Sequence, residues 1–128
     1  MKKIENKFAD MPSLELARML SLAALEKKAE NLVVLDVREK SSFTDYFVIM
    51  SGRSTRHVQG LAEAVDSAVS KKRIKDANTE GLSEGLWVLL DYEDVVVHIF
   101  YRDIRDFYDL EGLWHDAPRV NVEAEVAP

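Results

Sequence analysis

The sequence predicts one α/β domain of the α+β kind, a small mixed β-sheet covered by helices. Two stretches of helical period alternate with short runs of branched and aromatic residues, the pattern of helices lying on a sheet. Two of those runs, Leu86 to Asp91 and Val95 to Phe100, stand three residues apart and must return on each other as an antiparallel hairpin. A chain of 128 residues, 47% of them hydrophobic, is enough for one core and too short for two.

Residues 1–12 read as a flexible N-terminus. Ser13, after Pro12, is the expected N-cap of a first helix reaching about Glu30. Leu16, Met19, Leu20 and Ala23 give it a core face at i, i+3, i+4 and i+7. Leu14, Leu22 and Leu25 form a second stripe, read either as a self-association surface or as burial between two layers. Leu32 to Val37 and Tyr46 to Ser51 are strands joined by a polar loop. Gly52 ends the second, and Ser54 or Thr55 caps a helix with the stripe Val58, Leu61, Ala62, Val65 and Val69. Gly60 inside it costs about 1 kcal/mol relative to Ala, which points to a close approach of backbone to the sheet. The polar stretch Ile74 to Gly85 hides one short strand. After the hairpin, Ile104 to Trp114 reads as one helix starting near Asp103 or Asp106, with Phe107, Leu110 and Trp114 on its apolar side. Pro118 ends the domain, which spans 13–118, and residues 119–128 are expected to be a mobile tail.

The composition narrows the function. Without cysteine there is no disulfide scaffold, thiol nucleophile or cysteine-ligated metal, and His57, His98 and His115 are too scattered to form a metal site, so no cofactor is expected. No apolar run reaches membrane-spanning length and the basic start lacks a signal-peptide core, so a soluble cytoplasmic protein is expected. The 17 basic and 23 acidic residues give a net charge of −6, unevenly distributed. Residues 1–75 carry 14 Lys/Arg against 10 Asp/Glu, and residues 76–128 carry 3 against 13. Nucleic-acid affinity rests on cations that release counterions, so the second half suits a basic protein partner better than a phosphate backbone.

The hairpin carries the most information. Pairing 90 with 95 and 87 with 98 puts Val88, Leu90, Val95, Val97 and Ile99 on one wholly aliphatic face, which must be core. Trp87, Leu89, Asp91, Val96, His98 and Phe100 occupy the other, with Tyr92 at the tip. Such a mixed face suits intermittent contact with a partner, and equally a permanent helical cover with Trp87 packed on His98.

The run W-V-L-L-D-Y-E-D-V-V-V-H-I-F (Trp87 to Phe100), then F-Y-D-L-E-G-L-W (Phe107 to Trp114) and D-A-P (Asp116 to Pro118), closely resembles the bacterial ribosomal silencing factors, the Iojap-like family. T-D-Y-F-V-I-M-S-G (Thr44 to Gly52) and S-T-R-H-V (Ser54 to Val58) match that family in the same order, so the resemblance covers roughly residues 14–118. It departs at Glu93, where Gly is usual, and at Gly112, where a bulky or basic residue is usual. The resemblance implies a nucleotidyltransferase-like topology. It also implies a non-enzymatic translation repressor that binds the large ribosomal subunit through its fourteenth protein, a small basic β-barrel, and blocks subunit joining when nutrients are short. A homodimer is implied as well, and the first-helix stripe Leu14, Leu22 and Leu25 is its candidate surface. The candidate partner site is Trp87, Leu89, Asp91, Tyr92, His98 and Phe100.

Two other classes were weighed on the residues. Nucleotidyl transfer needs a Gly-Ser turn just before a strand whose carboxylates converge on two metals. Here Arg53 follows Gly52, and Asp91-Tyr92-Glu93 lies some forty residues later at a turn. RNA binding would use Arg53, Arg56 and Lys71 to Lys75, but no aromatics interleave with these cations, so rRNA contact is at most auxiliary.

Overall fold

The computed structural model describes residues 11–70 and 77–122. In chain order the elements are α1 (Ser13–Glu26), β1 (Glu30–Asp36), β2 (Tyr46–Gly52), α2 (Thr55–Ser70), β3 (Asn78–Glu80), β4 (Trp87–Asp91), β5 (Val95–Tyr101), α3 (Arg102–Tyr108), α4 (Leu110–Leu113) and β6 (Arg119–Val120). The sheet order is β3-β4-β5-β2-β1-β6. Every neighbouring pair is antiparallel except β2 with β5. This is the small mixed sheet expected, with β3 as the hidden strand. The Lys71 to Lys75 cluster lies outside the described residues.

The two long helices cover one face. Val58, Leu61, Ala62, Val65 and Val69 of α2 are all buried, as the stripe predicts. On α1 the buried set is Leu16, Ala17, Leu20, Ser21 and Ala24, so the core face is rotated away from the expected Met19 and Ala23. Ser21 is tolerated there because its hydroxyl donates to the Ala17 carbonyl (2.8 Å). Ser13 is not the N-cap: Pro12 holds that position, and the Ser13 hydroxyl donates to Asp45 (2.8 Å), tying α1 to the β1–β2 loop. The helix also stops at Glu26, because Lys28 takes a left-handed conformation (φ 68°) and the Ala29 N–H bonds back to Ala24. Gly60 is exposed, and a Cβ there would meet open space, so no close approach to the sheet explains it.

The opposite face is covered by shorter pieces. Residues 119–122 are not tail: β6 pairs with β1, and Val122 is 4% exposed in the core. The expected single helix over 104–114 is two. Asp109, left-handed at φ 47° and ψ 52°, ends α3 and then accepts the Gly112 N–H (3.2 Å) to start α4. A Cβ at residue 112 would run into that carboxylate, so glycine there serves the cap.

The break lets Glu111 fold back on Arg105, whose side chain is only 9% exposed. Nε and Nη2 of Arg105 each donate to one Glu111 carboxylate oxygen (2.9 Å), while Nη1 donates to the Asn31 carbonyl (2.7 Å) and the Ser51 hydroxyl (2.9 Å). One guanidinium thus fastens α3 and α4 to β1 and β2. Glu111→Ala, which strands this largely buried cation, is expected to cost about 2–3 kcal/mol in a denaturant melt, at the low end for a buried pair because Glu111 is partly exposed. Arg105 also holds the Glu111 carboxyl below its usual pKa. The contribution is therefore complete above the unfolded carboxyl pKa and fades as pH falls through the lower folded value, and acid titration of the wild type and Glu111→Gln should show that difference.

Candidate functional site

The observed hairpin pairs Trp87 with Phe100, Val88 with Ile99, Leu89 with His98, Leu90 with Val97 and Asp91 with Val96. The register is two residues away from the expected one, because the two-residue turn is Glu93-Asp94, one residue later than expected, and Tyr92 is still paired: its N–H donates to the Val95 carbonyl (2.9 Å). An even shift keeps every side chain on its face. Val88, Leu90, Val95, Val97 and Ile99 are accordingly buried beneath α1 and α2.

Tyr92 requires a correction. It shares the face of Leu90, is 1% exposed, and donates its hydroxyl to Asp66 of α2 (2.8 Å), so it is a core residue and not a contact at the tip. Glu93 sits at φ 76°, and the Asp94 N–H donates to the Tyr92 carbonyl (2.9 Å) across it, a tight and strained turn for a residue with a Cβ. Asp91 offsets part of this by accepting the Glu93 N–H (2.8 Å).

On the outer face the aromatic side chains form a continuous row. Trp87 stacks on Phe100 at 4.9 Å and touches Tyr108 at 4.7 Å, Phe47 meets His98 edge-on at 5.3 Å, and Trp114 meets Phe47 edge-on at 5.0 Å. Nε1–H of Trp87 donates to Nδ1 of His98 (3.1 Å). Since the indole only donates, this Nδ1 must be unprotonated and the imidazole proton sits on Nε2. Burial pushes the His98 pKa down to about 4, so the ring is neutral near pH 7. His98 and Phe100 are 5% and 0% exposed. They therefore support the surface from below, a second correction to the expected contact set, while Trp87, Leu89 and Asp91 are half-buried and reach its outside.

Sequence reasoning missed the rest of that outside. Phe107 and Leu113 are 78% and 75% exposed and Tyr108 is 48% exposed, so Phe107 faces solvent and not the sheet. The helical period concealed this, because it assumed one helix where the chain bends at Asp109. Glu80 lies across from Leu89 and Asp109 ends α3 next to Tyr108, which touches Trp87, whereas Asp103 and Asp106 line a hollow with Asn31, Ser51 and Arg105. An apolar, aromatic centre with carboxylates on neighbouring elements suits a basic protein.

The first-helix stripe is divided. Leu14 packs on the main core and Leu25 lines a groove with Val120 and Val122, leaving Leu22 half-buried on the helix surface.

The residues weighed for catalysis are otherwise engaged. The Ser54 hydroxyl accepts the His57 N–H (3.0 Å) as the cap of α2, and both His57 ring nitrogens bond backbone, at Arg53 N–H (3.1 Å) and the Lys27 carbonyl (2.8 Å). Asp91 serves the turn. Among the described residues no three His, Cys, Asp or Glu side chains group to hold a metal, and no helix is long and apolar enough to cross a membrane.

Comparison with known proteins gives a consistent result. The family described as "Ribosomal silencing factor during starvation" matches residues 10–128. The chain is similar to the ribosomal silencing factor RsfS of Halalkalibacterium halodurans, 38% identical over 117 residues that make up 91% of this chain and all of that protein. A mouse protein named for mitochondrial assembly of the ribosomal large subunit is 28% identical over 117 residues, covering 86% of this chain and 51% of its own length. A Chromobacterium violaceum crystal structure superposes with a TM-score of 0.80 at 31% identity, over 82% of this chain and 88% of that one.

The His98 environment generates a pH prediction. The folded state holds the ring neutral down to about 4, whereas an unfolded histidine protonates near 6.5. Protonation therefore favours unfolding, and stability should fall as pH drops from about 6.5 towards 4, by on the order of 3 kcal/mol for this group. An NMR titration that found His98 protonating near 6.5 in the folded protein would refute this.

Proposed function

The chain belongs to the family of ribosomal silencing factors, and from that premise we propose that it is a translation repressor that docks on the large ribosomal subunit through the fourteenth protein of that subunit and keeps the small subunit from joining. The observation that carries the reading is the outer hairpin face: Trp87 and Leu89 on the sheet, Tyr108 against Trp87, the exposed Phe107 and Leu113 on the helices that follow, and Glu80 across from Leu89. Charge steers encounter with a basic β-barrel, and the desolvated aromatics set how long the complex lasts. The chain acts as an obstacle and not as an enzyme. A compact domain of this length has a radius of gyration of about 14 Å and a diameter of roughly 35 Å, more than a closed subunit interface leaves open. The name of the mouse relative links that protein to the large subunit, and the family description links repression to starvation. A cytoplasmic location is part of the same proposal.

In gradient sedimentation the protein should travel with large subunits and lower 70S formation when added before the small subunit. Binding only to small subunits, or undiminished joining at saturation, would overturn the proposal. Trp87→Ala should cost about 2 kcal/mol or more of binding, at least a twentyfold loss. Because Trp87 also supports His98 and Phe100, the exposed Phe107→Ala is the companion: it should melt like the wild type yet bind several times more weakly. The homodimer belongs to the same proposal, with Leu22 and Leu25 of α1 as its surface. Light scattering that shows only monomer at about tens of micromolar would remove it.

A further inference from the structure

We propose that the pole where α1 ends and α2 begins is a second contact surface, one that takes the phosphate backbone of ribosomal RNA. The inference rests on the large-subunit reading above and adds a partner class and a site to it. Arg38, Lys40, Arg102 and Arg105 each pair with a carboxylate of their own chain, at 2.7, 3.1, 3.6 and 2.9 Å. Lys27, Lys28, Arg53 and Arg56 are exposed, and among the described residues their side chains form no ion pair.

These four come from distant parts of the sequence to one place. His57 bridges them, with Nδ1 accepting from the Arg53 N–H (3.1 Å) and Nε2 donating to the Lys27 carbonyl (2.8 Å). The pairing of Glu30 with Ser51 brings the strand that follows Lys28 to the same end of the sheet. The carboxylates nearby are Glu26, beside Lys27 at the end of α1, Glu63, which lines the same groove as Lys27 and His57, Glu30, already engaged by Arg102, and Asp103, two residues beyond the strand partner of Gly52.

The placement also runs against helix electrostatics. The first turn of α2 has no acidic residue and contains Arg56, with Arg53 just ahead of it, where the positive end of a sixteen-residue helix disfavours cations. An incoming anion reverses the sign of that interaction for the arginines and the helix end together. The anion is a backbone and not a set of bases, since the one aromatic ring among Lys27, Lys28 and residues 53–57 is His57, whose two nitrogens are already tied to backbone at Arg53 and Lys27. The pole adjoins the aromatic face: the Thr55 carbonyl lies against Gly85, so close that a Cβ there would fall 2.7 Å from it, and Gly85 is two residues from Trp87. A chain seated on a protein of the large subunit through Trp87 turns this pole towards whatever surrounds that protein, and phosphate is the partner its charge fits.

The test compares the wild type with the triple variant Lys27→Gln, Arg53→Gln, Arg56→Gln, whose melting is first matched to the wild type. Both are titrated onto purified large subunits between 50 and 200 mM monovalent salt, and separately onto the isolated fourteenth protein. On large subunits the slope of log affinity against log salt should be shallower for the variant by about one for each cation removed that contacts phosphate. On the isolated protein the two chains should bind alike. Equal slopes on large subunits would overturn the inference and leave the function standing, and so would an equal loss on the isolated protein, since the cations would then act through protein. Failure of both chains to bind large subunits at any salt would overturn the function and this inference with it.

Discussion

A buried guanidinium has to have its donors met, and Arg105 meets them only if three other parts of the chain come to it. Glu111 must return from beyond a helix end, Ser51 must sit at the last turn of a buried strand, and Asn31 must offer its carbonyl from the irregular start of β1. The consequence is the shape of the outer face. With α3 and α4 fixed at that angle, Tyr108 lands on Trp87 at one side of the sheet and Trp114 on Phe47 at the other. Between them the sheet is only partly covered, so Leu89 and Val96 stay half-buried instead of sealed. A full helix over 104–114 would have lain across these residues and left no aromatic surface to present.

The molecule separates its charges by position. Glu80 and Asp109 stand beside the aromatic patch, and four exposed cations that form no ion pair among the described residues stand where α1 ends and α2 begins. An acidic border excludes phosphate as effectively as it attracts a basic protein, and the cationic pole does the reverse. Two adjoining surfaces of opposite preference therefore define an orientation as well as a partner. A net charge of −6 describes neither of them.

Much of this was legible before any coordinates. Strict alternation in β4 and β5 assigned every hairpin side chain to its face, and the assignment survived a two-residue error in register because parity is insensitive to an even shift. The same arithmetic, carried one residue further, places Tyr92 with Leu90 in the core; assigning Tyr92 to the turn concealed this. The α3–α4 break was harder to see. Arg105 and Glu111 stand six apart, outside the spacing at which helical neighbours meet, so their pairing has no local signature until Asp109 is known to be left-handed. Ser13 differs for another reason: the Leu16 N–H bonds the Pro12 carbonyl, so the helix begins one residue earlier than a Ser13 cap requires, and the Ser13 hydroxyl, on the first helical residue, donates to Asp45 instead.

The hairpin tip does more than join two strands. The Asp94 carbonyl accepts the N–H groups of both Asp45 and Tyr46 (2.9 and 3.2 Å), at the point where the parallel pairing of β2 with β5 begins, Tyr46 beside Val95. That pairing joins residues about fifty apart, the kind of contact that slows folding because a long loop must close before any gain is returned. The β4–β5 hairpin is local and can form early. Its tip offers β2 an acceptor at the residue where the parallel pairing starts, so a turn that is strained at Glu93 also fixes the register of β2 against β5.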